Sequence, residues 1–262
     1  MKALVAVTIP IYKQTISEDE LISLTQCLSI LGKHKIIFFA PASLDTAFYE
    51  NFCHGKIDFA IERFADDYFI DIPGYNRLML STAFYKRFNN YKYILIYQLD
   101  AYVFRDELEY WCKQGYDFIG APYTFINMDT YPIKVLTKYR AFLKTMKRYF
   151  PSFYTFKQVG NGGLSLRNIK KTLFLIKFKR LQPKIWVTLM EDNFFQYWGN
   201  LLFLIFKLPT TTEAAKFSIE LHPKQTFESI GKKLPFGCHA YLRYEPEFWK
   251  NYIEAANYNL PK

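Results

Sequence analysis

Residues Tyr93–Phe104 read Y-I-L-I-Y-Q-L-D-A-Y-V-F and contain a single carboxylate, Asp100. An apolar run of this length, rich in β-branched and aromatic residues, predicts a strand buried on both faces, as in a parallel sheet. Burying an ionised carboxylate costs several kcal/mol unless a cation or strong donors meet it. Asp100 stands where such a strand would end, two residues after Gln98. In an open α/β sheet, ligands bind at the carboxyl ends of the strands. The simplest expectation is that Asp100 faces a bound metal ion carrying an anionic ligand. The alternative is an acid that caps a turn.

The segments before this run alternate in type. Ala3–Ile9 is a first buried strand ending at Pro10, and Ser17 with Glu20 makes an S-x-x-E capping box that starts a helix ending near Gly32. Lys35–Ala40 and Ile57–Arg63 read as strands around a short helix from about Leu44, and Pro73–Phe88 reads as one helix with Tyr75, Asn76 and Arg77 in its first turn. This β-α-β-α-β-α-β order predicts a mostly parallel sheet flanked by helices.

Beyond Asp100 the pattern loosens. A short helix is expected over Asp106–Lys113, a strand over Tyr116–Gly120, a basic amphipathic helix over Ile133–Arg148 and a strand over Leu164–Arg167. Helices over Ile169–Lys179 and Asp192–Phe206, a strand near Phe217–Leu221 and a terminal helix complete the chain. No linker or internal repeat interrupts it, which predicts one domain over residues 1–262, with a nucleotide-binding half over about 1–120 and an acceptor half over about 121–262.

A composition of 50% hydrophobic and 22% charged residues belongs to a folded globular chain, not a disordered one. Cys27, Cys53, Cys112 and Cys238 show no C-x-x-C spacing, which argues against a zinc ribbon or disulfide framework and for a reducing compartment. The longest apolar segment, 193–208, is interrupted by Gln196, Asn200 and Lys207, so it does not read as a membrane span. A cytoplasmic protein is expected.

The net charge of +10 is unevenly placed: no carboxylate occurs between Asp129 and Glu191, whereas 134–184 carries fourteen Lys and Arg residues. A one-sign field of this length favours an anionic partner. With Phe142, Tyr149 and other rings interleaved, the expected partner is an anionic membrane surface, the inner face for a cytoplasmic protein, in preference to nucleic acid. A solvated face is the plainer alternative.

Three further clusters could carry chemistry. Gly160-Asn161-Gly162-Gly163 allows positive φ and close backbone approach to a ligand, or makes a tight turn with no ligand. Glu191-Asp192 precedes an apolar helix; the pair either complements the helix dipole or supplies a general base. His239, in P-F-G-C-H-A, is a core histidine unless it meets Asp100 at one ion.

Taken together, G-Y-N-R-L-M-L (74–80), the Tyr93–Phe104 run, V-G-N-G-G-L-S-L-R (159–167), E-D-N-F-F (191–195) and P-F-G-C-H-A (235–240) resemble a bacterial glycosyltransferase-like family described as a domain of unknown function. More distantly the arrangement is similar to glycosyltransferases of the GT-A fold. The resemblance implies a single GT-A-like α/β domain and a nucleotide-sugar donor at the ends of the first and fourth strands. It implies that Asp100 replaces the metal-binding acid of a D-x-D motif, His239 is a second metal ligand, and Asp192, next to Glu191, is the base of an inverting transfer. Thr8, Pro10 and Tyr12 would border base and ribose, Arg77 would reach the diphosphate, Asn76 would belong to the donor-binding set, and Asn161, Gly162 and Gly163 would meet the sugar or acceptor. Gln98 stands where the first acid of D-x-D is expected, which puts the strength of Mn²⁺ or Mg²⁺ binding in question.

The function expected from this resemblance is sugar transfer to a hydroxyl of a surface glycan, either lipopolysaccharide, capsule or a lipid-linked acceptor. Two alternatives stand beside it. A nucleotidyltransferase would need a glycine-rich loop after its first strand, and Thr8–Lys13 has no glycine. A non-catalytic basic module would bind lipid or nucleic acid with steep salt dependence.

Overall fold

Strand β1 (Ala3–Pro10) sends alternate side chains into two buried clusters: Val5, Val7 and Ile9 into one, Ala6 into the other. Strands β2 (Lys35–Pro41) and β4 (Tyr91–Tyr97) do the same, with Phe38 and Leu95 on one side and Phe39 and Ile96 on the other. Both faces of the sheet are therefore covered, which is why these strands are nearly continuous apolar runs. These features come from a computed structural model that describes residues 2–123, 156–178, 183–188 and 190–255, with isolated positions between 138 and 149. The expected basic helix over 133–148 falls largely outside the described residues.

Helix α1 (Glu18–Leu31) joins β1 to β2, and its start is the predicted capping box: the Ser17 backbone N–H donates to Glu20 Oε2 at 3.0 Å. Helix α2 (Ala47–Cys53) leads to β3 (Phe59–Phe64). The segment read as one helix over 73–88 is two: α3 (Ile72–Met79) and α4 (Thr82–Arg87). Asp71 caps the first, accepting from the Gly74 N–H at 2.6 Å, and Ser81 caps the second, accepting from the Phe84 N–H at 3.1 Å. A serine that satisfies a free N–H in this way starts a new helix.

After β4 come β5 (Ala101–Val103), α5 (Leu108–Lys113), β6 (Phe118–Ile119), β7 (Leu164–Asn168) and α6 (Ile169–Phe178). Helix α7 (Pro183–Thr188) and α8 (Glu191–Leu201) follow, then α9 (Thr211–Phe217), β8 (Ser218–Ile219), α10 (Pro223–Ser229), β9 (Gly237–His239) and α11 (Pro246–Glu254). The helix expected over 192–206 thus closes five residues early, with the Leu202 N–H returning to the Trp198 carbonyl at 2.9 Å.

The central sheet has the order β3-β2-β1-β4-β7-β6. β1 pairs in parallel with both β2 and β4, and β2 with β3, whereas β7 is antiparallel to β4 and to β6. The fold is mixed α/β with a mostly parallel central sheet. Strand order reverses at β1, so a crevice opens between the carboxyl ends of β1 and β4. A second sheet, β5-β9-β8, stands beside it and carries the chain's C-terminal part.

The run 93–104 is therefore two strands, not one. β4 stops at Tyr97, Gln98–Asp100 turn with the Ala101 N–H donating to the Gln98 carbonyl at 2.9 Å, and β5 enters the second sheet. There it pairs with β9, placing Ala101 opposite His239. All four cysteines are free and buried. Among the described residues no helix is long and apolar enough to cross a membrane.

Candidate active site

The crevice at the ends of β1 and β4 is a cleft of about 790 Å³, within the range of small-ligand sites. Of the residues singled out in the sequence, Pro10, Tyr12, Asn76, Gln98, Asp100, Asn161, Gly162, Gly163, Glu191, Asp192 and His239 line it. Segments far apart in the chain converge here because the second sheet brings β9 against β5 and the central sheet brings the turn before β7 against β4. The Gln98 N–H donates to the Gly163 carbonyl at 2.8 Å and fastens that turn to the end of β4.

Two expected residues do not reach the cleft. Thr8 is fully buried, and its hydroxyl donates to the Leu95 carbonyl at 2.9 Å, inside the sheet. Arg77 points away: its guanidinium donates to the Asp67 carbonyl at 3.0 Å and lies 3.5 Å from the Asp67 carboxylate. Asn76 does line the cleft, and its side-chain amide donates to the Val187 carbonyl at 2.9 Å.

Asp100 and His239 meet, with Oδ1 and Nε2 3.0 Å apart. The Asp100 side chain is 51% exposed, so the carboxylate stands open to the cleft. Partial burial opposes its charge, yet the neighbouring imidazole outweighs this and holds its carboxyl below the usual range. On the other ring nitrogen, Glu220 Oε1 lies 3.3 Å from Nδ1. Burial alone would drive the His239 proton off. Asp100 and then Glu220 reverse this and raise its pKa to about 10, so the ring is a cation held between two carboxylates.

Asn161 is the hub of the turn. It, and not a glycine, takes the left-handed conformation, with φ of 68°, a position asparagine tolerates better than most side chains. Its N–H donates to Asp192 Oδ2 at 2.8 Å, its side-chain amide donates to Glu220 Oε2 at 2.5 Å, and its side-chain carbonyl accepts from the Gly163 N–H at 2.8 Å. The glycines serve close approach instead: a Cβ on Gly162 would overlap the Glu191 carboxylate, and one on Gly163 would overlap the His239 ring.

Glu191 and Asp192 open α8 after Met190, whose φ of 69° and ψ of 144° are strained for a side-chain-bearing residue. Asp192 is buried, and burial first, then the charge of Glu191, push its carboxyl up to about 6. The N–H groups of Asn161 and Asn193, each 2.8 Å away, pull in the opposite direction. Glu191 turns inward to pair with Arg167 at 2.8 Å.

Sequence reading missed Arg167 and Glu220. Arg167 is fully buried between the rings of Phe118 and Phe195, donates to the Tyr85 hydroxyl at 2.9 Å and to Ser165 Oγ at 3.0 Å, and Glu191 keeps its proton bound more tightly than usual despite burial. The alternation of Leu164 and Leu166 with Ser165 and Arg167 was the available signal, since it puts the serine and arginine on one face. Glu220, alone at the end of a two-residue strand, gave none.

The cleft is acidic in a basic chain: Asp19, Glu20, Asp71, Asp100, Glu191, Asp192 and Glu220 line it against Lys13, His239 and Arg243. Among the described residues, no group of three or more His, Cys, Asp or Glu side chains is placed to hold a metal ion. A smaller donor set does converge: Gln98 Oε1 lies 3.2 Å from the same His239 nitrogen that faces Asp100. Once a metal displaces the His239 proton, one carboxylate oxygen, one amide oxygen and one imidazole nitrogen suit a hard or borderline divalent cation.

The mouse xyloside xylosyltransferase 1 apo structure aligns with a TM-score of 0.53 at 11% identity, over 89% of this chain and 96% of that one. The mannosyltransferase Ktr4p from S. cerevisiae aligns with a TM-score of 0.48 at 10% identity, over 71% and 62%. Core-mannan synthase A from Aspergillus fumigatus, in its Mn/GDP form, gives 0.45 at 12% identity, over 79% and 67%. The first of these shows that the chain has a glycosyltransferase fold. No curated protein matches the sequence. The profile described as "Protein of unknown function (DUF5672)" matches residues 58–239, from β3 through His239. The chain belongs to the DUF5672 family.

Proposed function

We propose that the protein is a glycosyltransferase that moves a sugar from a nucleotide-sugar donor to a hydroxyl of a surface-glycan acceptor (lipopolysaccharide, capsule or lipid-linked) in the cytoplasm. One observation carries this reading: Asp192, with a carboxyl raised to about 6, faces the same cleft as the Asp100–His239 pair at the strand-order reversal. A group poised there is basic enough to accept a proton near neutral pH.

The donor's diphosphate would lie toward Gln98, Asp100 and His239, and its nucleoside toward Pro10 and Tyr12. An acidic cleft repels a diphosphate unless a cation intervenes. A divalent ion held by Asp100, His239 and Gln98 would offset charge on the departing diphosphate. Asp192 takes the acceptor hydroxyl's proton as that oxygen attacks the anomeric carbon, opposite the leaving group, with inversion. The Asn161 N–H orients Asp192 for this step, and the Asn161–Gly163 turn holds the sugar in line. The test is hydrolysis or transfer of UDP- and GDP-sugars with Mn²⁺. Turnover should fall in Asp100→Ala and Asp192→Asn, and an Asp192→Asn enzyme as fast as wild type ends the proposal.

A further inference from the structure

Helix α6 buries Ile169, Thr172, Leu175 and Ile176 against the core, which is the stripe an amphipathic helix presents inward. Its outer side should then be polar. Lys170 and Lys177 are there, but so are Phe174 and Phe178, 44% and 57% exposed, their rings stacked 5.8 Å apart. Lys171, on the same side as the two rings, donates to the Ile205 carbonyl at 2.6 Å and ties this face to the turn after α8. On that turn Leu204 is 86% exposed and Ile205 44%. Phe174, Leu204 and Ile205 thus stand exposed on two segments that Lys171 links, none of them lining the cleft.

The charge around them has one sign. Lys170, Lys171 and Lys177 share the outer side of α6 with the rings, and among the described residues none of the three makes an ion pair. Asp117, the carboxyl that feels Lys171 and Lys207, is buried and accepts the Lys207 backbone N–H at 2.8 Å, so it does not reach the surface.

The geometry points to a docking surface for an anionic phospholipid bilayer. Apolar side chains raised above a cationic rim suit a headgroup layer: rings and aliphatic tips enter the acyl boundary while ammonium groups meet lipid phosphates. A nucleic acid would use the lysines and could stack on the rings, but it has no use for a protruding leucine. Leu204 sits at the tip of a turn, a convex shape that enters lipid more readily than it seals against a second copy.

The experiment is flotation of the full chain with vesicles of phosphatidylcholine alone and of equimolar phosphatidylcholine and phosphatidylglycerol, at low and high salt. Wild type floats with the anionic vesicles and is released by salt. Lys170→Ala with Lys177→Ala lowers the partition about thirtyfold, and Phe174→Glu with Leu204→Glu abolishes it. Both double variants keep the wild-type melting temperature and soluble nucleotide-sugar turnover, which makes this test independent of the transferase reading. Failure of wild type to float, or flotation of the Phe174→Glu, Leu204→Glu variant as well as wild type, overturns the proposal. So does a dimer in sedimentation equilibrium that this variant dissociates, since the patch then belongs to a second copy.

Discussion

Arg167 and Glu191 form a buried 2.8 Å ion pair, and it joins the end of the turn before β7 to the start of α8. From β7, Arg167 also lies 3.4 Å from the Gly162 carbonyl, in the turn whose Asn161 N–H binds Asp192. From α8, Glu191 is covalently next to Asp192. The pair therefore braces the proposed base against the turn that orients it. Such a pair is a weak source of stability compared with apolar packing, but losing one partner strands the other charge.

Arg167→Met should lower unfolding stability by about 3–5 kcal/mol, read as a lower urea midpoint at unchanged slope. Adding Glu191→Gln removes the stranded charge and should recover part of that loss. A single variant that unfolds at the wild-type urea concentration would show that the pair braces nothing.

Asp192 sets a pH dependence of stability whose sign is opposite to that of an ordinary paired acid. Its carboxyl is raised to about 6 in the fold against a reference near ~3.9. The folded state therefore holds this proton more tightly than the unfolded one. The associated stability is fully present below pH ~4 and is lost as pH rises through about 6. Asp192→Asn should lack this decline, measured as the difference between the two proteins' melting temperatures from acid to neutral pH. Wild-type kcat/KM should rise with pH and level off above about 6, and a flat profile through that range would remove Asp192 as base.

What the sequence disclosed depended on how local the cause was. The Ser17–Glu20 box could be read because both partners sit within one helical turn. Asp100 could be read because an acid closing an apolar run is conspicuous at any register. Thr8 was misplaced because β1 is buried on both faces, so alternation cannot say which side of a strand end meets the cleft. Arg77 was misplaced because its direction depends on helix phase: α3 begins at Ile72, capped by Asp71, and the arginine turns to Asp67. Glu220 and His239 meet only through pairing in the second sheet, a long-range contact that no nearby spacing announces.

Mn²⁺ alone, without nucleotide, should raise the melting temperature if Asp100, His239 and Gln98 hold it. Binding at a hundredfold excess over Kd stabilises by about 2.7 kcal/mol. Asp100→Ala and His239→Ala should each lose the shift, whereas Glu220→Gln, on the far ring nitrogen, should weaken it and keep part. A shift of wild-type size in Asp100→Ala would place the ion elsewhere.

Gly163 offers the sharpest test of the cleft's geometry, because a single methyl there would overlap the His239 ring while leaving every charge in place. Overpacking of this kind costs about 1–3 kcal/mol, so lower stability alone would say little. Gly115 supplies the comparison: its φ of 70° makes alanine strained there, yet nothing lies near the added methyl and the residue is outside the cleft. Gly115→Ala should lose stability on the order of 1 kcal/mol and bind nucleotide sugars as wild type does. Gly163→Ala should lose both stability and binding in isothermal titration. Equal binding by the two variants would mean that the position of the His239 ring does not matter to the ligand.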